Sequence, residues 1–60
     1  MTVIISKENM GYDISTFDEK GNIVKTTWKS DIGYARECAI NFADFYRGEI
    51  GQRASIHYAC

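Results

Sequence analysis

The sequence predicts an α+β fold in which one helix packs on a small antiparallel sheet, in the order β-β-β-α-β. Three observations support this fold class. Runs rich in β-branched and aromatic residues predict three early strands, at Thr2–Ser6, Tyr12–Phe17 and Asn22–Trp28. A longer segment, Asp31–Arg47, repeats apolar residues at helical spacing. After it, the alternating segment Arg53–Ala59 predicts a final strand.

The clearest turn signal is the segment DEKGN between the second and third strands. Asp18 is placed to accept hydrogen bonds from the turn backbone, and Gly21 supplies the positive φ that closes a four-residue hairpin loop. The segment KENMG, which is charged and ends in glycine, separates the first two strands.

The helix has recognisable start and stop signals. Ser30 is a candidate N-cap, and Asp31 beside it lies at the favourable end of the helix dipole. Gly33 weakens the first turn by about 1 kcal/mol relative to alanine. Gly48 is placed to end the helix in the left-handed conformation.

The helix carries more apolar residues than one side packed on a small sheet needs. The expected core stripe consists of Ile32, Ala35, Ala39, Phe42, Ala43 and Tyr46. Tyr34, Cys38 and Phe45 form a second stripe beside it, and Ile40 lies on the far, polar side. Either a wide sheet covers both stripes, or Tyr34, Phe45 and Ile40 face another protein, because aromatic residues are favoured in interface cores.

Trp28 ends the third strand just before the helix and has two interpretations. In the first, it is a residue at the core edge whose indole N–H reaches a carbonyl group. In the second, it anchors a protein interface beside Tyr34, with Lys25 and Lys29 as the polar rim.

Length and charge limit the function classes. The 60 residues predict a single domain over 1–60, near the lower limit for a chain that folds without disulfides or metal. Seven basic and eight acidic residues give a net charge of −1, which disfavours a dedicated nucleic-acid binder. The N-terminus lacks signal-peptide character, and no apolar run suits a membrane span. These features predict a cytoplasmic protein that gains stability from a partner or a second copy.

The residues offer little for catalysis or metal binding. His57 is the only histidine, and no cysteine–histidine spacing suggests zinc. Cys38 lies in the apolar helix arc and is most simply a small buried apolar residue, whereas Cys60 is the last residue. A Cys38–Cys60 disulfide stays open on sequence alone. We therefore predict no catalytic residue, no cofactor and no metal, and hence no enzymatic activity.

Two blocks carry a resemblance to a known family. The segment MGY, Met10 to Tyr12, is followed by TTWKSDIGYA, Thr26 to Ala35, and then by a cysteine near the end of the chain. This arrangement resembles the small antitoxins of T-even phages called the discriminator of mRNA degradation. In that pattern Met-Gly-aromatic precedes Thr-x-x-Lys-x-Asp-aliphatic-x-aromatic-Ala, which here gives Thr26, Lys29, Asp31, Ile32, Tyr34 and Ala35. The spacing between the blocks is longer here, and the second half of the helix shows no correspondence.

The resemblance implies a direct inhibitor. Those antitoxins bind a bacterial endoribonuclease toxin and block its active cleft, and other small phage inhibitors, including anti-CRISPR proteins, also occupy a host defence protein. We therefore expect a phage-encoded, stoichiometric inhibitor of a host bacterial protein, either a toxin endoribonuclease or a CRISPR effector. The residues expected to bind that partner are Trp28, Lys29, Tyr34, Phe45 and Tyr12.

Two other function classes remain open at this point. The chain fits a nucleic-acid-binding module, in which Tyr12, Phe17 and Lys25 on a sheet face stack on bases and contact phosphates. It also fits a structural homodimer or a host-factor adaptor with no inhibitory role.

Overall fold

A computed structural model shows one helix packed on a four-stranded sheet, and it describes residues 1–45, 47 and 54–59. The α+β class and the element order β-β-β-α-β are confirmed. In chain order the elements are β1 (Thr2–Glu8), β2 (Gly11–Phe17), β3 (Ile23–Lys29), α1 (Ile32–Phe45) and β4 (Ser55–Tyr58).

The sheet is mixed, so the prediction of a purely antiparallel sheet is wrong for its last strand. The spatial order is β3-β2-β1-β4, with β1, β2 and β3 antiparallel to their neighbours and β4 parallel to β1. The direction of β4 follows from the connection. Since α1 returns the chain along the sheet after β3, β4 starts at the same end as β1 and runs in the same direction.

The second hairpin turn is built as its local sequence predicts. Oδ1 of Asp18 accepts hydrogen bonds from the backbone N–H groups of Lys20 and Asn22, each at 2.9 Å. Gly21 has a φ of 86° and donates its N–H to the carbonyl of Asp18 at 3.1 Å. The loop has three residues rather than the predicted four, because Asp18 N–H donates to the carbonyl of Asn22 at 2.9 Å.

The first hairpin turn consists of two residues. Asn9 and Met10 have φ values of 50° and 63°, and the flanking residues Glu8 and Gly11 pair with each other. Positive φ at both central positions matches the twist of the flanking strands. Gly11 therefore belongs to β2 and does not close the turn.

The core lies between α1 and one face of the sheet, which carries the odd-numbered residues of β1 and the even-numbered residues of β2. Ala35, Ala39, Phe42 and Ala43 are buried, which confirms four positions of the predicted core stripe. Ile32 is half-buried against the core, and Tyr46 lies outside the described residues. On the sheet side the buried apolar residues are Val3, Ile5 and Ile14. Because alanine is small, the helix backbone approaches this surface closely.

A buried polar atom without a hydrogen-bond partner among the described residues lies in this core. Thr16 is fully buried on the sheet face under α1, and its Oγ1 makes no hydrogen bond to that part of the chain. A buried hydroxyl without a partner lowers stability by about 1–3 kcal/mol.

Asp31, rather than Ser30, is the N-cap of α1. Its Oδ2 accepts hydrogen bonds from the N–H groups of Gly33 at 2.8 Å and Tyr34 at 3.4 Å. Ser30 lies two residues before the first helical residue, Ile32, whereas the cap position is the residue directly before it. Gly33 has a specific role here, because a Cβ at that position would lie 2.8 Å from the capping carboxylate. The predicted stop at Gly48 lies outside the described residues.

The positive φ of Gly21 gives a testable expectation. Gly21→Val should lower the free energy of unfolding by more than about 1 kcal/mol, because a β-branched residue is strained at φ 86° even though no atom lies within 4 Å of its Cβ. Gly21→Asn is the matched control, since asparagine tolerates this conformation and should cost less. Urea unfolding measures both. Equal losses would show that backbone conformation is not the cause.

Candidate protein-binding surface

An open groove runs between α1 and the edge strand β3. It is lined by Lys29 from β3 and by Tyr34, Glu37, Cys38 and Asn41 from α1, with a volume of about 260 Å³. We call it the α1–β3 groove. Its helical residues recur at intervals of three and four, so they share one side of α1. The structure therefore brings together two residues of the predicted binding set, Lys29 and Tyr34.

The second apolar stripe of α1 is exposed, which resolves the question posed by the surplus apolar residues. Tyr34 is 66% exposed and Phe45 is 64% exposed, whereas Cys38 between them is half-buried. The sheet is therefore not wide enough to cover both stripes. Ile40 is 41% exposed, and helical geometry places it on the opposite flank of α1 from Tyr34 and Phe45.

Lys25 extends this surface beyond the groove. Its Nζ lies 4.9 Å from the ring centroid of Phe45 and 5.2 Å from that of Phe42. A cation over an aromatic face at such distances is attracted by the ring quadrupole. The contact with Lys25 therefore places Phe45 beside β3. The surface combines exposed aromatic area with positive charge.

The Cys38 thiol at the base of the groove is free and half-buried. Burial raises its pKa from the ordinary value of 9.0, and the positive charges of Lys29 and Lys25 oppose that rise. The thiol is therefore predominantly protonated at neutral pH, which fits the expected role of a small apolar residue. The sequence leaves a Cys38–Cys60 disulfide open; in the structure Cys38 is free, and Cys60 lies outside the described residues.

Trp28 lies on the other face of the sheet, away from the groove. It pairs with Asp13 in β2, and its Nε1 donates to the backbone carbonyl of Glu8 at 3.0 Å. The indole covers Gly11, where an added Cβ would lie 2.6 Å from its Cε2. The hydrogen bond to a carbonyl agrees with the first interpretation of Trp28, but the predicted place at the core edge is wrong, because Trp28 lies on the sheet face opposite α1. It is still 46% exposed, but it does not lie beside Tyr34.

Tyr12, the fifth residue of the predicted binding set, is half-buried. It pairs with Lys29 across β2 and β3 and packs against the core under α1. The two blocks that carry the family resemblance are therefore neighbours in space, since Gly11 lies under Trp28 and Tyr12 lies beside Lys29. Much of that pattern has a packing role here.

The residues of the nucleic-acid alternative do not share a face. Tyr12 and Lys25 lie on the face that α1 covers, whereas Phe17 alternates to the open face. Among the described strand residues, the lysines at 7, 25 and 29 all lie on the helix-covered face by register. The open face instead presents Glu8 and Asp13. Because the described strand residues on this face include acidic side chains and no lysine or arginine, the face does not suit a phosphate backbone.

A small hydrogen-bond cluster is the main polar feature of the open face. The hydroxyl of Ser15 donates to Oδ2 of Asp13 at 2.6 Å, and Oγ1 of Thr26 donates to Oδ1 at 3.2 Å. The two hydroxyl oxygens are 2.9 Å apart. These bonds tie β2 to β3 and satisfy the Asp13 carboxylate from both strands.

Sequence reasoning missed Glu37 and Asn41 as groove residues. Both continue the helical stripe of Tyr34, at the third and seventh following positions. Hydrophobic periodicity selects only the apolar members of that side of α1, and Glu37 and Asn41 are polar. Following the same spacing without regard to polarity would have found them.

His57 is exposed on β4, away from the groove. In the described part of the chain, no three histidine, cysteine, aspartate or glutamate residues form a group that could hold a metal ion. Over the same residues, no helix is long and apolar enough to cross a membrane. No family model, curated protein or solved structure matches this chain.

Proposed function

We propose that this chain is a small non-enzymatic inhibitor that binds one protein stoichiometrically and blocks it sterically. The observation that carries the proposal is the exposure of Tyr34 and Phe45 on one flank of α1, at 66% and 64%. Large aromatic side chains supply much contact area and lose little rotamer freedom on binding, which is why they dominate interface hot spots.

The charges around these aromatics suit a protein partner. Lys25 and Lys29 lie on the β3 side of the surface, and Glu37 lines the α1–β3 groove. A partner would place an apolar group between Tyr34 and Phe45 and present acidic groups toward the two lysines. Such a mixed polar rim around an apolar centre is the usual anatomy of a non-obligate interface.

The proposed target is a bacterial defence protein, either a toxin endoribonuclease or a CRISPR effector. This part of the proposal rests on the resemblance of the MGY and TTWKSDIGYA blocks to phage antitoxins. The chain would be phage-encoded and act in the cytoplasm of the host cell. Tyr12 supports this surface from within, because it packs against the core beside Lys29, whereas Trp28 covers Gly11 on the opposite face of the sheet.

Titration of the purified chain into two cleavage reactions tests the function. One reaction contains a bacterial endoribonuclease toxin and its RNA, and the other a CRISPR effector complex and its DNA. We expect one activity to fall linearly and vanish near equimolar inhibitor, with a stable complex on size-exclusion chromatography. Unchanged activity in both reactions, with no complex formed by either enzyme, would contradict the proposal.

The binding surface can be tested by truncating its aromatics. Tyr34→Ala and Phe45→Ala should each weaken binding to the inhibited enzyme by about 2 kcal/mol or more, the hot-spot range. Their melting curves should change little, with a loss of stability within about 1 kcal/mol, since both side chains are mostly exposed. Calorimetric titration gives the affinities.

Ile40→Ala is the matched control, because Ile40 is also exposed but lies on the opposite flank of α1. It should leave the affinity within about threefold of the parent. If Ile40→Ala weakens binding as much as Tyr34→Ala, the partner contacts another side of the helix. If Tyr34→Ala and Phe45→Ala unfold the chain, the aromatics are structural.

A further inference from the structure

The edge strand β3 presents an open backbone that nothing in the described chain covers. Six of its seven residues are exposed, and Ile23, Val24 and Trp28 are 59%, 43% and 46% exposed. The other edge is β4, which has only four residues. A long, exposed and apolar edge is a template for pairing with another strand.

The first hairpin turn shows which backbone groups of β3 point outward. A two-residue turn closes on a pair that exchanges both backbone hydrogen bonds, here Glu8 and Gly11. By alternation along β2, even-numbered residues bond to β3, and their partners there are Lys25, Thr27 and Lys29. Thr26 and Trp28 therefore direct their N–H and C=O groups away from the sheet.

The side chains that could shield this edge are directed back over the protein. Nζ of Lys25 lies over the rings of Phe42 and Phe45. The indole of Trp28 lies over Gly11 and bonds to the Glu8 carbonyl. Lysines on an edge normally discourage pairing, but Lys25 is held away from the outward backbone groups.

Charge then selects one antiparallel register between two copies of β3. A two-fold axis perpendicular to the sheet requires paired residue numbers to have a constant even sum. With Lys25 on the axis, lysine faces lysine, and centring on Thr27 sets Lys25 against Lys29 twice. Centring on Thr26 makes the two seven-residue strands overlap along their whole length and opposes no two lysines. Val24 is the extra residue of a bulge, since its neighbours Ile23 and Lys25 pair with the adjacent residues Phe17 and Thr16, so the regular part of the strand runs from Lys25 to Lys29. In that register Lys25 faces Thr27 of the second copy.

We propose that the chain forms a two-fold symmetric dimer through antiparallel pairing of β3 with β3 of a second copy, centred on Thr26. The result is a continuous eight-stranded sheet with both helices on the same side. Each copy gains backbone hydrogen bonds at Thr26 and Trp28. The dimer goes beyond the proposed inhibitor function and places the two α1–β3 grooves next to each other across the axis.

Sedimentation equilibrium over a range of protein concentrations tests the dimer. The parent should reach twice its 6.8 kDa mass, and Thr26→Lys should raise the dissociation constant at least about tenfold, because like charges then face each other. The control is His57→Lys, which adds the same charge on the exposed strand at the other edge. It should leave the dissociation constant unchanged. Far-ultraviolet circular dichroism, which does not depend on Trp28 at the proposed contact, confirms that both variants are folded.

Mixing variants of opposite charge tests the register. Thr26→Lys and Thr26→Glu should each be predominantly monomeric, and an equimolar mixture should recover the dimer. The reason is that residue 26 of one copy faces residue 26 of the other only when the pairing is centred on this position. A parent that stays monomeric up to about 1 mM would overturn the proposal. So would a dimer that Thr26→Lys leaves intact or that His57→Lys dissociates, because the second result would assign the contact to β4. Failure of the mixture to recover the dimer would overturn the register.

Discussion

Replacing Phe42 with alanine should lower the free energy of unfolding by about 3–5 kcal/mol. Phe42 is the largest side chain that α1 buries, with 8% exposure, and the surrounding core residues of the helix are alanines. Removing the ring leaves a cavity that those small side chains cannot fill. For a domain of this size, the loss is comparable with the whole stability. Urea unfolding followed by circular dichroism measures it.

Phe45→Ala is the matched control for this prediction, because it makes the same chemical change one turn away. Phe45 is 64% exposed, so its loss of stability should stay within about 1 kcal/mol. Both rings lie under Nζ of Lys25, so both variants lose a similar cation–π contact. A larger loss for Phe45→Ala than for Phe42→Ala would mean that α1 is rotated about its axis relative to the sheet.

Replacing Gly11 with alanine should lower the free energy of unfolding by about 2–3 kcal/mol, the upper part of the range for overpacking. The added Cβ would lie 2.6 Å from Cε2 of Trp28 and 2.7 Å from the backbone oxygen of Lys29. Relief requires the indole to move, which breaks its hydrogen bond to the Glu8 carbonyl. Since Trp28 is the only tryptophan, its fluorescence should shift to longer wavelength as the ring enters water.

A double-mutant cycle separates the two contacts at Gly11. In a Trp28→Ala background, Gly11→Ala should cost clearly less, because only the contact with the Lys29 carbonyl remains. An equal cost in both backgrounds would show that the indole does not restrict this position. The comparison also shows whether the glycine of the MGY block is needed because the Trp28 indole packs over it.

The local parts of the fold were predictable because the interactions that form them span a few residues. Asp18 and Gly21 form their turn through bonds within five residues, in the predicted roles, although the loop has three residues rather than four. The N-cap was predicted one residue early, at Ser30 rather than Asp31, since both residue types suit the position. Only the helix phase, which tertiary packing fixes, distinguishes them.

The candidate surface was predictable only in part. Tyr34 and Phe45 stood out because they lie outside the core stripe, and both are exposed. Closeness in sequence predicts Trp28 beside Tyr34, but strand alternation places it on the opposite face of the sheet. Gly11 gave no sign of its role, since the residue that needs its missing side chain lies 17 positions later in the chain.

The sequence by itself determined the number, order and type of elements, and which residues of α1 face the core. Those properties depend on hydrophobic periodicity and turn chemistry, which are local. Only the tertiary structure decided that β4 runs parallel to β1, that Trp28 covers Gly11, and that β3 is left as an open edge. These features depend on contacts between residues far apart in the chain, which periodicity does not encode.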